Sequence, residues 1–201
     1  SIRGAGDILG SEQAGFIDTI GIELYLNMLN EEVEKLKGTI KQKDDVITEK
    51  PLINIETSID NNYIDEEELK IEIHKKINTI DSYDSLNKIK EELEDRFGPL
   101  SDKMIIYMHE ELFEKMSINL NITNIRQTRN FIEIILPKEL TNQINIDQLF
   151  VSVSEISRMF RFSTHFGLIK ITLDTVKLDK HFVYYLIELL EQIKKLINNK
   201  K

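Results

Sequence analysis

The four histidines are the side chains best suited to catalysis or metal binding, and their spacing matches no known motif. His74, His109, His165 and His181 are scattered along the chain, and cysteine is absent, which excludes thiolate metal sites. The segment Gly4-Ala5-Gly6 lacks the lysine of a phosphate-binding loop and the third glycine of a dinucleotide-binding loop. The sequence therefore predicts no catalytic residue and no metal site, and this chain alone is not expected to catalyse a reaction.

A run of charged residues from Glu91 to Gly98 has a spacing suited to binding a partner. In a helix, Asp95 and Arg96 lie three and four positions after Glu92 and form with it one outward polar stripe, which could dock on a basic partner. The alternative is an ordinary solvated helix face, in which Glu92 and Arg96 form an exposed pair. The residues alone leave both interpretations open.

A second candidate site combines basic and aromatic side chains. It comprises Arg126, Arg129, Arg158 and Arg161, with Phe131, Phe160 and Phe162 nearby. This combination occurs in nucleic-acid-binding proteins, where cations hold phosphates and rings stack on bases. The alternative, which we favour, places Phe131 and Phe160 in the core of the domain. Because the formal net charge is −9, we expect no nucleic-acid affinity tighter than about 10⁻⁴ M.

The composition indicates a globular protein. Hydrophobic residues make up 41% of the 201 residues and charged residues 30%, which suffices for a core and a charged surface. No apolar run is long enough for a transmembrane helix, and no signal-peptide pattern is visible. With the absence of cysteine, these features predict a cytoplasmic protein with no membrane partner.

The distribution of glycine divides the chain. Five of the eight glycines fall in residues 1–21, and an amphipathic helix is expected over residues 22–37, ending at Gly38. A polar stretch of low periodicity follows and leads into Pro51. The sequence thus predicts a segment over residues 1–38, a linker over 39–50 and a domain over 51–201.

The domain is predicted to be α+β, with hairpins of a mainly antiparallel sheet packed against helices. A strand comes first, and the first helix is expected to open at a capping box formed by Asp65 and Glu68. The remaining predicted elements are helices over 82–97 and 102–117, a hairpin over 122–136, a helix over 146–160, a hairpin over 161–173 and a helix over 179–198. The initial strand is expected over 52–58.

Two blocks of sequence carry a family resemblance. Residues 2–38, IRGAGDILGSEQAGFIDTIGIELYLNMLNEEVEKLKG, resemble the end of the second translocase lobe of bacterial transcription-repair coupling factors. The segments YIDEEELKIEIHKKI (63–77) and IKEELEDRFGPL (89–100) resemble the C-terminal domain of the same family. Lys70, His74 and Lys76 stand where that family usually has Arg, Tyr and Arg.

The resemblance implies a fragment of an ATP-driven double-stranded DNA translocase that displaces stalled RNA polymerase and recruits nucleotide excision repair. ATP and magnesium would be cofactors of the parent protein, and none is expected in this fragment. The glycine-rich loop and first helix would belong to a truncated translocase lobe that couples nucleotide state to DNA movement. Its signature residues would be Arg3, Gly4, Gly6, Gly10, Glu12, Gln13 and Gly15.

The same resemblance implies a regulatory role for residues 51–201. In this family the C-terminal domain is thought to pack on an excinuclease-B-like module of the same chain and cover the surface that binds the excinuclease A subunit. Glu92, Asp95 and Arg96 match the family pattern E-L-x-D-R and are the expected contact residues. Double-stranded DNA and RNA polymerase would be partners through the parent. The alternative is a nucleic-acid-binding accessory module of a helicase.

Overall fold

Three helices open the described part of the chain, which in this computed structural model comprises residues 53, 55 and 57–198. They are α1 (Glu67–Ile77), α2 (Tyr83–Phe97) and α3 (Asp102–Asn119). The prediction of these three helices is confirmed. The glycine-rich segment, the predicted helix over 22–37 and the linker over 39–50 lie outside the described residues.

The capping box predicted at the start of the first helix is wrong. Helix α1 begins at Glu67, and its N-cap residue Glu66 makes no side-chain capping hydrogen bond. A capping box is found instead at α2, where the Ser82 and Ser85 side chains each bond the other's backbone amide. A short hydroxyl side chain reaches the amide three residues on, and serine therefore caps α2.

The strand predicted over residues 52–58 is also wrong for the residues that the structure describes. Residues 53, 55, 57 and 58 are not in a strand, although Ile53 is almost completely buried. Ile59 and Ile64 are buried in the same core. This segment therefore packs its isoleucines without pairing its backbone to the sheet.

The sheet has four antiparallel strands in the order β1-β2-β4-β3. The strands are β1 (Asn124–Gln127), β2 (Phe131–Ile135), β3 (Phe160–His165) and β4 (Leu168–Asp174). Both predicted hairpins are confirmed. In the second, Phe166 and Gly167 form a two-residue turn with φ angles of 47° and 77°. Positive φ at both positions is the requirement of the turn that matches strand twist.

Three further helices complete the described chain: α4 (Lys138–Gln143), α5 (Ile146–Ile156) and α6 (Phe182–Asn198). Asn145 caps α5 by accepting hydrogen bonds from the amides of Asp147 and Gln148. The helix predicted over 146–160 is too long, because Ser157 has an extended backbone and Phe160 begins β3. Helix α4 was not predicted.

One face of the sheet packs on helices, and the residues of the other, here called the open face, are partly exposed. Along β2 and β4 the buried residues alternate with partly exposed ones, so that Ile132, Ile134, Ile171 and Leu173 face the core. Helix α6 packs against α3 and α5, and α5 lies against β3. The result is an α+β domain with one continuous core, which confirms the predicted fold class. None of the described helices combines the length and apolar character needed to span a membrane.

Candidate interdomain interface

The two segments of the domain that carry the resemblance, residues 63–77 and 89–100, meet at the C-terminal end of α2. Gly98 ends the helix with φ +86°, a conformation that favours glycine, and its amide donates to the Glu94 carbonyl. The Tyr63 hydroxyl lies 3.0 Å from the Gly98 carbonyl oxygen and 3.3 Å from that of Leu93. The Tyr63 ring also meets Phe97 edge-on, with centroids 6.2 Å apart. The tyrosine therefore fixes the end of α2 against the segment before α1.

Four side chains form a charge cluster between α1 and α2: Glu72, Lys76, Glu92 and Arg96. Lys76 Nζ donates to Glu92 Oε1, and Arg96 Nη1 lies 3.6 Å from the same oxygen. Arg96 Nη1 also lies 3.7 Å from Glu72 Oε1 on the neighbouring helix. The Arg96 guanidinium is stacked over Phe97, 4.8 Å from the ring centroid. Charges alternate across the two helices, which holds Arg96 in a defined position.

Solvent exposure limits what this charge cluster adds to stability. The side chains of Glu92 and Arg96 are each 41% exposed, and that of Glu72 is 62% exposed. The hydrogen bond from Lys76 is the largest influence that lowers the pKa of Glu92 below its usual value, with Arg96 contributing further. Exposed ion pairs of this kind contribute little to folding because water screens them. The cluster is thus ordered but accessible to a partner.

The structure brings together two of the three residues predicted for the interface. Glu92 and Arg96 share the cluster, and Asp95 lies beside them on α2, exposed. Within the described residues Asp95 has no ion-pair partner. The resulting surface presents one uncompensated carboxylate next to a positioned guanidinium.

A family model described as the TRCF domain matches residues 53–149, a range that includes the charge cluster. The chain belongs to the TRCF domain family. The transcription-repair-coupling factor of Staphylococcus haemolyticus (strain JCSC1435) is 31% identical over 179 residues, which covers 88% of this chain and 15% of that protein. The Staphylococcus aureus (strain USA300) protein of the same name is 31% identical over 173 residues, covering 86% of this chain. The chain thus spans 15% of the length of these curated relatives.

A solved structure shares the fold of this TRCF domain. It is a crystal structure of the C-terminal domain of transcription-repair coupling factor, with a TM-score of 0.65 and 23% sequence identity. The match covers 74% of this chain and 93% of the solved one.

Sequence reasoning missed two members of the charge cluster in this TRCF domain. Glu72 and Lys76 lie in the segment over residues 63–77, and their partners lie in the segment over residues 89–100. Their four-residue spacing was a signal for one helix face, but the contact with α2 depends on how the two helices pack. Lys76 stands where the family pattern has arginine, and it too places a cation opposite Glu92.

The other two departures from the family pattern are buried. Lys70 donates to Asn61 Oδ1 and to Glu67 Oε1, the latter at 2.8 Å. His74 is 4% exposed, and its Nδ1 lies 2.9 Å from the Tyr107 hydroxyl on α3. Burial lowers the pKa of His74 to about 4, with a further contribution from the Lys70 charge. The imidazole is therefore neutral at neutral pH.

A buried polar cluster surrounds His74 and links α1 to α3. With its amide oriented to satisfy its neighbours, the Asn78 nitrogen lies 3.2 Å from the His74 carbonyl, Glu111 Oε1 and the Tyr107 hydroxyl. In this arrangement the Tyr107 hydroxyl can donate its own proton to His74 Nδ1, 2.9 Å away. Buried polar groups are costly unless paired, and here the two helices supply partners for each other.

The basic residues of the second candidate site lie on and around the sheet. Arg126 donates to Glu133 at 2.8 Å, and Arg161 Nη2 lies 4.0 Å from Asp174 Oδ2. Phe160 is buried, as expected. Phe131 is not in the core, because the buried positions of β2 are Ile132 and Ile134 and its ring faces the opposite side.

The translocation-motif residues, Arg3, Gly4, Gly6, Gly10, Glu12, Gln13 and Gly15, lie outside the described residues. In the part of the chain that the structure describes, no group of three or more His, Asp or Glu side chains is placed to hold a metal ion. His109 and His181 are half-buried, and His165 is exposed. The exposed face around the charge cluster is therefore the strongest candidate site.

Proposed function

We propose that this chain is the C-terminal regulatory region of a transcription-repair coupling factor, an ATP- and magnesium-dependent double-stranded DNA translocase of the cytoplasm. The parent displaces stalled RNA polymerase and recruits excision repair. The TRCF domain packs on an excinuclease-B-like module of the same chain and covers the surface that binds the excinuclease A subunit. Support comes from the family model over residues 53–149 and from relatives that carry the name of this factor.

One observation carries the docking role: the exposed but ordered charge cluster with Asp95 beside it. The Arg96 guanidinium is held by Glu72, Glu92 and the Phe97 ring, so little conformational entropy is lost when a partner carboxylate binds it. Asp95 offers a carboxylate to a partner cation. A polar contact of this kind releases readily, which suits a domain that must cover and uncover a surface.

The magnitude of regulation follows from the population of the open state. If docking favours the closed state by about 2 kcal/mol, about 3% of molecules are open. Complete loss of docking then raises the apparent affinity for the excinuclease A subunit by about 30-fold. Each further increment of about 1.4 kcal/mol in docking energy raises this effect about tenfold.

The test is the triple variant Glu92→Gln, Asp95→Asn, Arg96→Gln in the full-length protein. These substitutions remove the charges; the first two keep the side-chain size, and Arg96→Gln shortens the side chain. We expect tighter binding of the excinuclease A subunit, measured by titration calorimetry, and a raised basal ATPase rate. Unchanged values of both would refute the docking role.

A matched control lies on the same helix. Asp84 and Lys88 form an i,i+4 pair at 2.7 Å near the start of α2, and their side chains are 78% and 72% exposed. The double variant Asp84→Asn, Lys88→Gln removes an exposed ion pair from the same helix but leaves the charge cluster intact. We expect it to bind the excinuclease A subunit as the unmodified protein does. An equal gain in both variants would indicate a nonspecific effect of charge removal.

A further inference from the structure

The open face of the sheet carries a second surface, whose charge is opposite to that of the chain as a whole. The strand register places Arg126, Glu133, Thr172 and Arg161 in one row across all four strands. Since neighbouring strands are about 4.8 Å apart, the two arginines at the ends of this row are separated by about 14 Å at their backbones. Glu133 pairs with Arg126 and with Lys170 and so neutralises the middle of the face.

Cations without acidic partners lie at one end of the sheet. The Thr175 amide donates to the Asn130 carbonyl and the Asp174 amide to the Met159 carbonyl. These bonds align the β1–β2 turn with the start of β3, and so bring Arg129 and Arg158 to the same end of the sheet. Both arginines are exposed, and within the described residues neither forms an ion pair. Their charges are available to an external anion.

An aromatic ring lies at the same end of the sheet as these two arginines. Phe131, the first residue of β2, is paired with Asp174 of β4 and points to the open face. Its side chain is partly exposed, and the Arg126 guanidinium lies 5.5 Å from its ring centroid. The sequence placed this ring in the core, but the structure places it on the open face beside the cations.

We propose that this basic sheet end, defined by Arg129, Phe131 and Arg158, binds single-stranded nucleic acid. A base stacks on Phe131, and Arg129 and Arg158 hold phosphates on either side of it. An acidic protein segment would use the arginines but would gain no stacking from the ring. A duplex keeps its bases stacked on each other and cannot present one to a flat sheet. A single strand can use both the arginines, through its phosphates, and the Phe131 ring, through its bases.

The salt dependence of binding reports the number of phosphates held. Each phosphate neutralised on a single strand contributes about −0.7 to the slope of log K against log salt. Two arginines therefore give a slope of about −1.4. With an affinity of about 10⁻⁴ M near 0.15 M salt, lowering the salt to about 0.02 M strengthens binding about 15-fold.

The test uses the whole 201-residue chain and a fluorescein-labelled oligothymidylate of about 12 nucleotides, followed by fluorescence anisotropy. Arg129→Gln and Arg158→Gln should each reduce the salt slope by about 0.7. Phe131→Leu should weaken binding about 5-fold or more through lost stacking and leave the slope unchanged. The exposed Lys88→Gln on α2 is the matched cation control and should change neither quantity.

Three outcomes would overturn the proposal. One is equal binding by the Arg129→Gln, Arg158→Gln double variant and the unmodified chain, and another is unchanged affinity in Phe131→Leu. The third is competition by polyglutamate of matched charge as effective as that by unlabelled oligothymidylate, which would assign the surface to an acidic protein segment. The two arginines are exposed, so their replacement tests the surface even if Phe131→Leu destabilises the fold. These residues are separate from the α1–α2 charge cluster, so the two proposals fail independently.

Discussion

Mild acid should destabilise this domain through His74. The imidazole is almost fully buried between α1 and α3, is hydrogen-bonded to the Tyr107 hydroxyl and has Lys70 as the nearby charge that affects its pKa. Its pKa is about 4 in the folded domain and 6.5 in an unfolded chain. Between these values the unfolded chain binds a proton that the folded domain does not, so stability falls as the pH falls through this window.

The magnitude follows from linkage between protonation and folding. A difference of about 2.5 pKa units corresponds to about 3 kcal/mol when the change is complete, below about pH 4. At about pH 5 the loss from His74 is about 2 kcal/mol, and at about pH 7.5 it is close to zero. This is a large fraction of the stability of a typical domain.

The assay is urea unfolding at about pH 7.5 and about pH 5, comparing the unmodified chain with His74→Gln. The variant loses stability at both pH values because its contact with Tyr107 changes, so the readout is the difference between the two pH values. His109 and His181, whose pKa values are also lowered by burial, titrate in both proteins and cancel in the comparison. We expect the pH-dependent loss to be about 2 kcal/mol smaller in His74→Gln. An equal loss in both proteins would refute the assignment of this dependence to His74.

Two further predictions concern the ends of α2. Tyr63→Phe removes the hydroxyl that donates to the Gly98 carbonyl and should cost about 1 kcal/mol, lowering Tm by about 2–4 °C. Tyr83→Phe, whose hydroxyl makes no hydrogen bond within the described residues, is the control and should leave Tm unchanged. Ser82→Ala removes the cap of α2 and should cost about 1 kcal/mol in urea unfolding. Asp65→Ala should leave the free energy of unfolding unchanged. A loss equal to that of Ser82→Ala would indicate that Asp65 does cap the first helix.

Helices with a clear apolar period were predictable from sequence. In α2, Leu86, Ile89 and Leu93 recur at helical spacing and are buried, and Gly98 ends the helix. Both hairpins were also predictable, because alternating residues flank short turns. These signals are local: each is contained within one element and its caps.

The errors occur where distant residues decide the structure. Helical spacing continues from Leu149 through Val153 to Phe160, and it predicted one long helix. The chain leaves α5 at Ser157 because β3 pairs with β4, as shown by the bond between the Asp174 amide and the Met159 carbonyl. Such pairing depends on residues far along the chain, and the spacing within one segment does not report it.

In the candidate site, too, contacts within one helix were predictable from sequence and contacts between helices were not. The Glu92–Arg96 pair follows from i,i+4 spacing on one helix, and the structure has these side chains in contact. The bond from Lys76 to Glu92 and the contact between Arg96 and Glu72 depend on how α1 packs against α2. The position of Phe131 on the open face was missed because a strand's two faces can be told apart only once the helices have covered one of them.

The buried polar cluster of His74, Asn78 and Tyr107 determines how the α1–α2 surface can move. These residues join α1 to α3 through buried hydrogen bonds. Separating the helices would leave their polar groups without partners in the core. Helix α3 in turn packs on α6. The charge cluster is therefore carried on a rigid body rather than on a hinged helix. Covering or exposing it therefore moves the domain as a unit and requires no unfolding of α1.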